Sequence, residues 1–181
     1  MNQIIREARA EDASGIARAQ VGAWHAAYKG IISQDYLDNY SVEMRTARWE
    51  TILTGDSLPG GKTFVMEAAD GICGFASIAD ARDEDVPENT GELVAIYVHP
   101  DFWSQRCGHA LHKQALEALA RNGYDLVILW VLEGNARARA FYQAHGWSED
   151  GARATQTYGD APAAVIRMTR SLREADAMAN I

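Results

Sequence analysis

IYVHPDFWSQRCGHALHKQALEAL, residues 96–119, changes its periodicity halfway along. It begins as an apolar run, breaks at Pro100 and crosses a polar loop around one glycine, Gly108. Leu111, Ala115, Ala118 and Leu119 then lie on one face of a helix expected over 106–121. Upstream, GELVAIYV (91–98) reads as the strand that enters the loop. Downstream, Asn122-Gly123 ends the helix as a C-terminal cap does, and LVILWVL (126–132) follows at once. A continuous apolar run entered from a helix is the pattern of a strand buried on both faces in a parallel pair. Residues 91–132 are therefore expected to form one β-α-β unit with a right-handed crossover.

Working outward, QIIREA (3–8) reads as a first strand, and Glu11, Asp12 and Ser14 supply acidic and capping residues for a helix. Ala13, Ala17, Val21 and Trp24 give that helix an apolar stripe. Two shorter helical pieces follow around Tyr36–Tyr40 and Met44–Leu53, broken near Ser41. TFVMEAADGICGFASIADAR reads as a hairpin with strands 63–69 and 72–81 turning at Asp70-Gly71. A helix over 135–145 and a last strand near 163–170 complete the pattern, with a tail from residue 173 expected to be frayed. The expected fold is α/β of the α+β type: one domain, residues 1–172, built on a single mixed sheet with helices on both faces.

The chain has 181 residues, 48% hydrophobic and 23% charged, with a formal net charge of −8. That charge repels a phosphate backbone, and no basic stripe offsets it, so nucleic acid is not an expected partner. A cationic substrate suits it better, although solubility alone also accounts for the charge; Asp80, Asp83, Glu84 and Asp85, just before the 91–98 strand, could attract one, with a solvated acidic loop as the competing reading. Cys73 and Cys107 form neither a disulfide framework nor a metal pair by spacing. No apolar run approaches the ~20 residues of a spanning helix, and the N-terminus lacks the order of a signal peptide. No membrane association is expected, and the cytoplasm is the expected compartment. His109 and His112 lie at i, i+3 on a helix, but lack a third ligand for a metal.

The junction at 105–110 carries the chemistry. A helix that starts after a strand leaves several N–H groups unpaired with a partial positive charge, which favours phosphate. Gly108 lets the backbone approach, Ala110 is the next smallest residue, and Arg106 adds a formal charge. The pattern Gln-x-x-Gly-x-Ala contains neither a dinucleotide fingerprint nor a nucleoside-triphosphate loop.

Val98, Pro100, Gln105, Gly108, Ala110, Asn135, Phe141 and Tyr142, in this order and spacing, resemble the GNAT superfamily of acyl-CoA-dependent N-acyltransferases. IREARAEDASGIARAQ is similar to that family's first strand and helix. The resemblance implies a splayed sheet, acetyl-CoA as acyl donor and coenzyme A as product. The diphosphate would lie on the amides of Arg106, Cys107, Gly108, His109 and Ala110, after Gln105. Main-chain groups of Ile96 and Val98, flanking Tyr97, would pair with the pantetheine as an added strand, with Asn135 and Ala138 against that arm. Tyr142 would protonate the departing thiolate. An ammonium must lose a proton before it attacks, so a base is expected. Glu92 is the candidate, because alternation puts it on the face of Val94, Ile96 and Val98, where a carboxylate is costly; an edge residue reaching water is the competing reading.

Trp24 and Tyr28, where the first helix ends, are candidates for the acceptor pocket, although Trp24 equally continues the apolar stripe; Asp80 is the third. The acceptor is expected to be a primary amine of a small molecule or peptide. Polyamine, amino acid, aminoglycoside and peptide N-terminus all remain open. A non-catalytic acyl-CoA-binding module is the alternative, and the resemblance also allows a homodimer.

Overall fold

The computed structural model of the chain describes residues 3–173. The expected tail lies, from residue 174 on, outside them. The strands are β1 (Ile4–Glu7), β2 (Lys62–Ala68), β3 (Gly71–Asp80), β4 (Thr90–Val98), β5 (Leu126–Leu132), β6 (Ser148–Tyr158) and β7 (Ala161–Ser171). They form one seven-stranded sheet in the order β1-β2-β3-β4-β5-β7-β6. Only β4 and β5 are parallel; every other neighbouring pair is antiparallel.

Helices α1 (Ala13–Ala27), α2 (Gln34–Asn39) and α3 (Val42–Leu53) precede the hairpin, α4 (Cys107–Arg121) crosses from β4 to β5, and α5 (Ala136–Ala144) follows β5. The apolar stripe of α1 buries Ala13, Ile16 and Ala17 with Trp49 of α3 against Val65 and Phe75. On the opposite face, Leu111, Ala115 and Leu119 of α4 pack on Met66, Ile78, Leu93 and Val127. Ser33 and Ser41 cap α2 and α3 by accepting from Tyr36 N and Met44 N. Asp12, expected as a cap for α1, instead takes both ends of the Arg6 guanidinium at 2.7 and 2.8 Å.

Two sequence expectations are corrected. β6 is an eleven-residue strand between the expected last helix and last strand, where the sequence pattern indicated no element. It lies at the sheet edge, nearly all of it exposed, and pairs with β7 alone. The second correction concerns Glu92. The β3–β4 register runs Ser77↔Ala95 but Ile78↔Leu93, so Val94 is an extra residue, a bulge. A bulge shifts the side-chain alternation. Leu93 thus joins Ile96 and Val98 on the α4 face, while Glu92, opposite Ala79, shares the α1 face with Ala95 and Tyr97.

Candidate active site

The parallel pairing of β4 with β5 covers only Thr90–Glu92 against Leu126–Ile128. Beyond it the strands part, because β5 stays paired with β7 along its whole length. The gap opens into a cleft of about 700 Å³ that runs from the start of α4, between the strands, to the α1 face. His99 N donates to Cys73 O, and antiparallel alternation then directs the main-chain groups of Tyr97 and Ala95 toward β3 and those of Ile96 and Val98 into the gap. Trp103 Nε1 occupies the Val98 carbonyl at 2.7 Å.

At one end of the cleft lies the turn into α4. Ser104 and Arg106 both adopt left-handed backbone, with φ of 63°. The Ala110 amide already bonds Arg106 O, so it cannot also receive a phosphate as expected; Arg106, Cys107, Gly108 and His109 supply the remaining amides. Gly108 has no left-handed backbone that would demand glycine, and a Cβ there would approach nothing nearer than the Phe141 ring at 3.8 Å. Folding therefore does not explain its missing side chain. A group seated on the backbone would.

Gln105 and Ala110 do not line the cleft; Gln105 Nε2 instead donates to Asp101 O at 3.0 Å. Arg137, which the sequence reading passed over, lies 3.6 Å over the Trp103 ring and brings a second cation to this end. Asn135 caps α5 by accepting from Ala138 N at 3.1 Å, which leaves its amide N–H free.

Tyr142 stands at mid-cleft, 9% exposed, and its hydroxyl bonds no other described residue. Burial pushes its phenol above the ordinary value, so it holds its proton at neutral pH.

At the far end, on the α1 face, the walls are Trp24, Tyr28, Tyr97, Trp130 and Tyr158. The Tyr28 and Tyr97 hydroxyls bond each other at 2.9 Å. Glu92, 3% exposed, receives Arg82 Nε at 3.2 Å and Nη2 at 3.0 Å. Asp80 does not reach this cleft. It accepts from the Tyr124 hydroxyl and lines a smaller depression outside. Two acids of the loop are paired, since Arg167 binds Asp83 at 3.0 Å and Asp85 at 2.6 Å, while the exposed Glu84 lies outside the cleft.

The glycine loop, the strand gap and a protonated tyrosine thus lie along one passage. The model of the acetyltransferase (GNAT) family matches residues 24–147. The chain belongs to that family. An uncharacterized N-acetyltransferase of Bacillus subtilis (strain 168) is 34% identical over 142 residues, 78% of each chain. Among solved structures, the PaiA N-acetyltransferase of Thermoplasma acidophilum in complex with coenzyme A superposes with a TM-score of 0.71 at 20% identity, covering 94% of this chain and 99% of that one. YncA of Salmonella typhimurium, solved with acetyl-CoA, gives 0.68 at 22% identity over 95% of each. The mixed, splayed sheet is thus the fold of other GNAT proteins. Among the described residues no helix is long and apolar enough to cross a membrane.

Proposed function

We propose that this GNAT protein transfers an acetyl group from acetyl-CoA to a primary amine of a small molecule or peptide, by direct attack while both are bound. The observation that carries this reading is the position of Tyr142, a buried phenol with no hydrogen-bond partner among the described residues, between a phosphate-sized turn and a separate chamber. Bound acetyl-CoA supplies the activated thioester. The free amides of residues 106–109, with Arg106 and Arg137, hold the diphosphate at the positive end of α4. Main-chain groups of Ile96, the Val98 amide and Asn135 align the pantetheine arm, and an N–H at Ile96 or Val98 meets the charge that develops on the acyl oxygen. Tyr142 donates a proton toward the thiol end of that arm.

Glu92 is the group proposed to take the amine's proton, directly or through water. Arg82 uses two of the roughly four acceptor positions of a carboxylate, and the others remain. Its place on the α1 face, with the aromatic walls, supports a role toward the acceptor.

The first test is thermal unfolding with acetyl-CoA, coenzyme A, ATP and NAD side by side. Both coenzyme A forms are expected to raise the midpoint, since a ligand at a hundred times its Kd adds about 2.7 kcal/mol. No shift with acetyl-CoA, or a larger one with ATP or NAD, would overturn the proposal. Gly108→Ala separates folding from binding. Alanine fits the free protein and suits a helix better by roughly 0.5–1 kcal/mol, so the melting temperature should hold or rise. Acetyl-CoA affinity should nevertheless fall about tenfold, about 1.4 kcal/mol. A variant that binds acetyl-CoA as tightly as the parent would place the diphosphate elsewhere.

A further inference from the structure

The chamber beyond Tyr142 has a composition that discriminates among amines. Glu92 is the one carboxylate among the described residues lining the cleft, and it is paired with Arg82. None of the acids that composition suggested for a cationic substrate lines the cleft, and all but Glu84 are paired. Arg167, 7% exposed, gathers Asp83, Asp85 and Asp150, and Asp80 faces Tyr124. A polyamine or aminoglycoside would bring a second and third ammonium into this space without a counter-charge, and desolvating them there is unfavourable.

The walls offer a different kind of contact. Trp24 meets Tyr28 edge to face with centroids 4.9 Å apart, and Tyr158 likewise at 5.8 Å; Tyr28 in turn stands edge-on to Tyr97. The three tyrosine hydroxyls are engaged, Tyr28 with Tyr97 at 2.9 Å and Tyr158 with Gln156 at 2.7 Å, whereas the buried Trp24 Nε1 has no hydrogen-bond partner among the described residues. Engaged hydroxyls leave carbon surface for a guest where the rings line the cleft; one face of Trp24 is already taken by Tyr40, stacked on it at 4.2 Å. Edge-to-face packing also favours an added ring over a flexible chain, because the geometry that aromatic pairs prefer is already set by fixed neighbours. Trp130 is held by Asp83 at 3.2 and 3.3 Å, so this wall is fixed as well.

From these contacts we infer that the acceptor is a monoamine carried on a flat aromatic body, of the arylalkylamine class. Its ring lies among Trp24, Tyr28, Tyr97 and Tyr158, and its single nitrogen reaches toward Glu92 and the thioester. The inference rests on the acetyltransferase reading and narrows it. The transfer balances without a further reagent: the amine nitrogen bonds the acetyl carbon, the carbon–sulfur bond breaks, and coenzyme A leaves as thiol. The ammonium gives one proton to the Glu92 side or to water before it attacks; Tyr142 supplies the proton the sulfur takes, and the second proton that leaves nitrogen as the amide forms restores the phenol.

The test is thiol release from acetyl-CoA with phenethylamine, tryptamine, hexylamine, spermidine, kanamycin and glycylglycine, run beside acetyl-CoA thermal shifts. The arylalkylamines should exceed hexylamine in kcat/KM by tenfold or more, and spermidine and kanamycin by a hundredfold. Tyr158→Ala should narrow the ratio of phenethylamine to hexylamine while the acetyl-CoA thermal shift persists; should that variant not fold, Trp24→Leu serves the same comparison. Preference for spermidine, kanamycin, glycylglycine or hexylamine would overturn the inference and leave the acetyltransferase reading standing. An acetyl-CoA shift with no acetylation of any of these amines would also overturn it. No acetyl-CoA shift at all would remove the reading beneath it.

Discussion

Replacing Tyr142 by phenylalanine is expected to lower kcat by roughly 10²–10⁴, the usual worth of a positioned proton donor, while acetyl-CoA affinity and melting temperature stay as they are. The two halves of that result have separate causes. The hydroxyl bonds no other described residue, so its removal breaks no hydrogen bond among them. The ring remains, with its contacts to Phe141 and Trp147. What disappears is a proton that burial holds firmly on the phenol, above its ordinary value. Because the shift is upward, Tyr142 stays protonated through the neutral range and contributes no fall in rate below about pH 10. Any limb nearer neutrality belongs to another group. Steady-state kinetics with acetyl-CoA and a responsive amine, alongside calorimetric titration, makes the measurement. Unchanged turnover would take Tyr142 out of the proton path. Tight acetyl-CoA binding by the parent with no turnover on any amine would instead favour a non-catalytic acyl-CoA-binding module.

The β4-α4-β5 unit was legible because it announces itself locally. Pro100, Gly108 and Gly123 punctuate it, and the apolar period changes from strand to helix and back. The observed α4 and β5 bounds, Cys107–Arg121 and Leu126–Leu132, follow the expected ones closely. β6 was illegible for the opposite reason. SEDGARATQTY has no apolar face to bury, and its pairing rests on main-chain bonds to β7, which leave no mark on side-chain pattern. The side of the sheet taken by Glu92 was misread because alternation holds only in an unbroken strand. One extra residue at Val94 moves every side chain before it to the other face. Two acids of the loop are withdrawn from amine steering through pairing at long range, since Arg167 stands 84 and 82 residues from Asp83 and Asp85. Local composition carries no sign of such partners. The aromatic chamber lies between these cases: Trp24 and Tyr28 were candidates by position, whereas Tyr97 turns toward them only through the β3–β4 register, and Tyr158 through the unforeseen strand.

Acid is expected to unfold the protein from an unusual starting point, His112. This side chain is 2% exposed, between α4 and the end of α5, and its Nε2 accepts from Trp147 Nε1 at 2.9 Å. That bond needs a lone pair, so protonation breaks it. Burial first, then the neighbouring His145, Arg170 and His109, lower its pKa to about 3 from 6.5. The unfolded chain has no such restraint and takes up a proton near pH 6.5. Between these values the unfolded state holds the extra proton, so stability is greatest above pH 6.5 and falls as pH drops toward 3. The slope grows to about 1.4 kcal/mol per unit below the unfolded pKa and is half that at pH 6.5, which makes about 2.3 kcal/mol between pH 6.5 and 4.5. Asp12, Asp85 and Asp125, whose carboxyls lie below their ordinary range beside Arg6, Arg167 and Arg173, begin to lose stability only nearer pH 4, so the upper window isolates the histidine. Glutamine can accept the Trp147 indole through its carbonyl and does not titrate. Urea unfolding of the parent and His112→Gln at pH 7.5, 6 and 4.5 should give a stability difference that shrinks with acid, because only the parent pays for the missing proton. A difference independent of pH would mean that His112 is protonated as readily inside the fold as outside it, and that the Trp147 contact does not depend on the neutral ring.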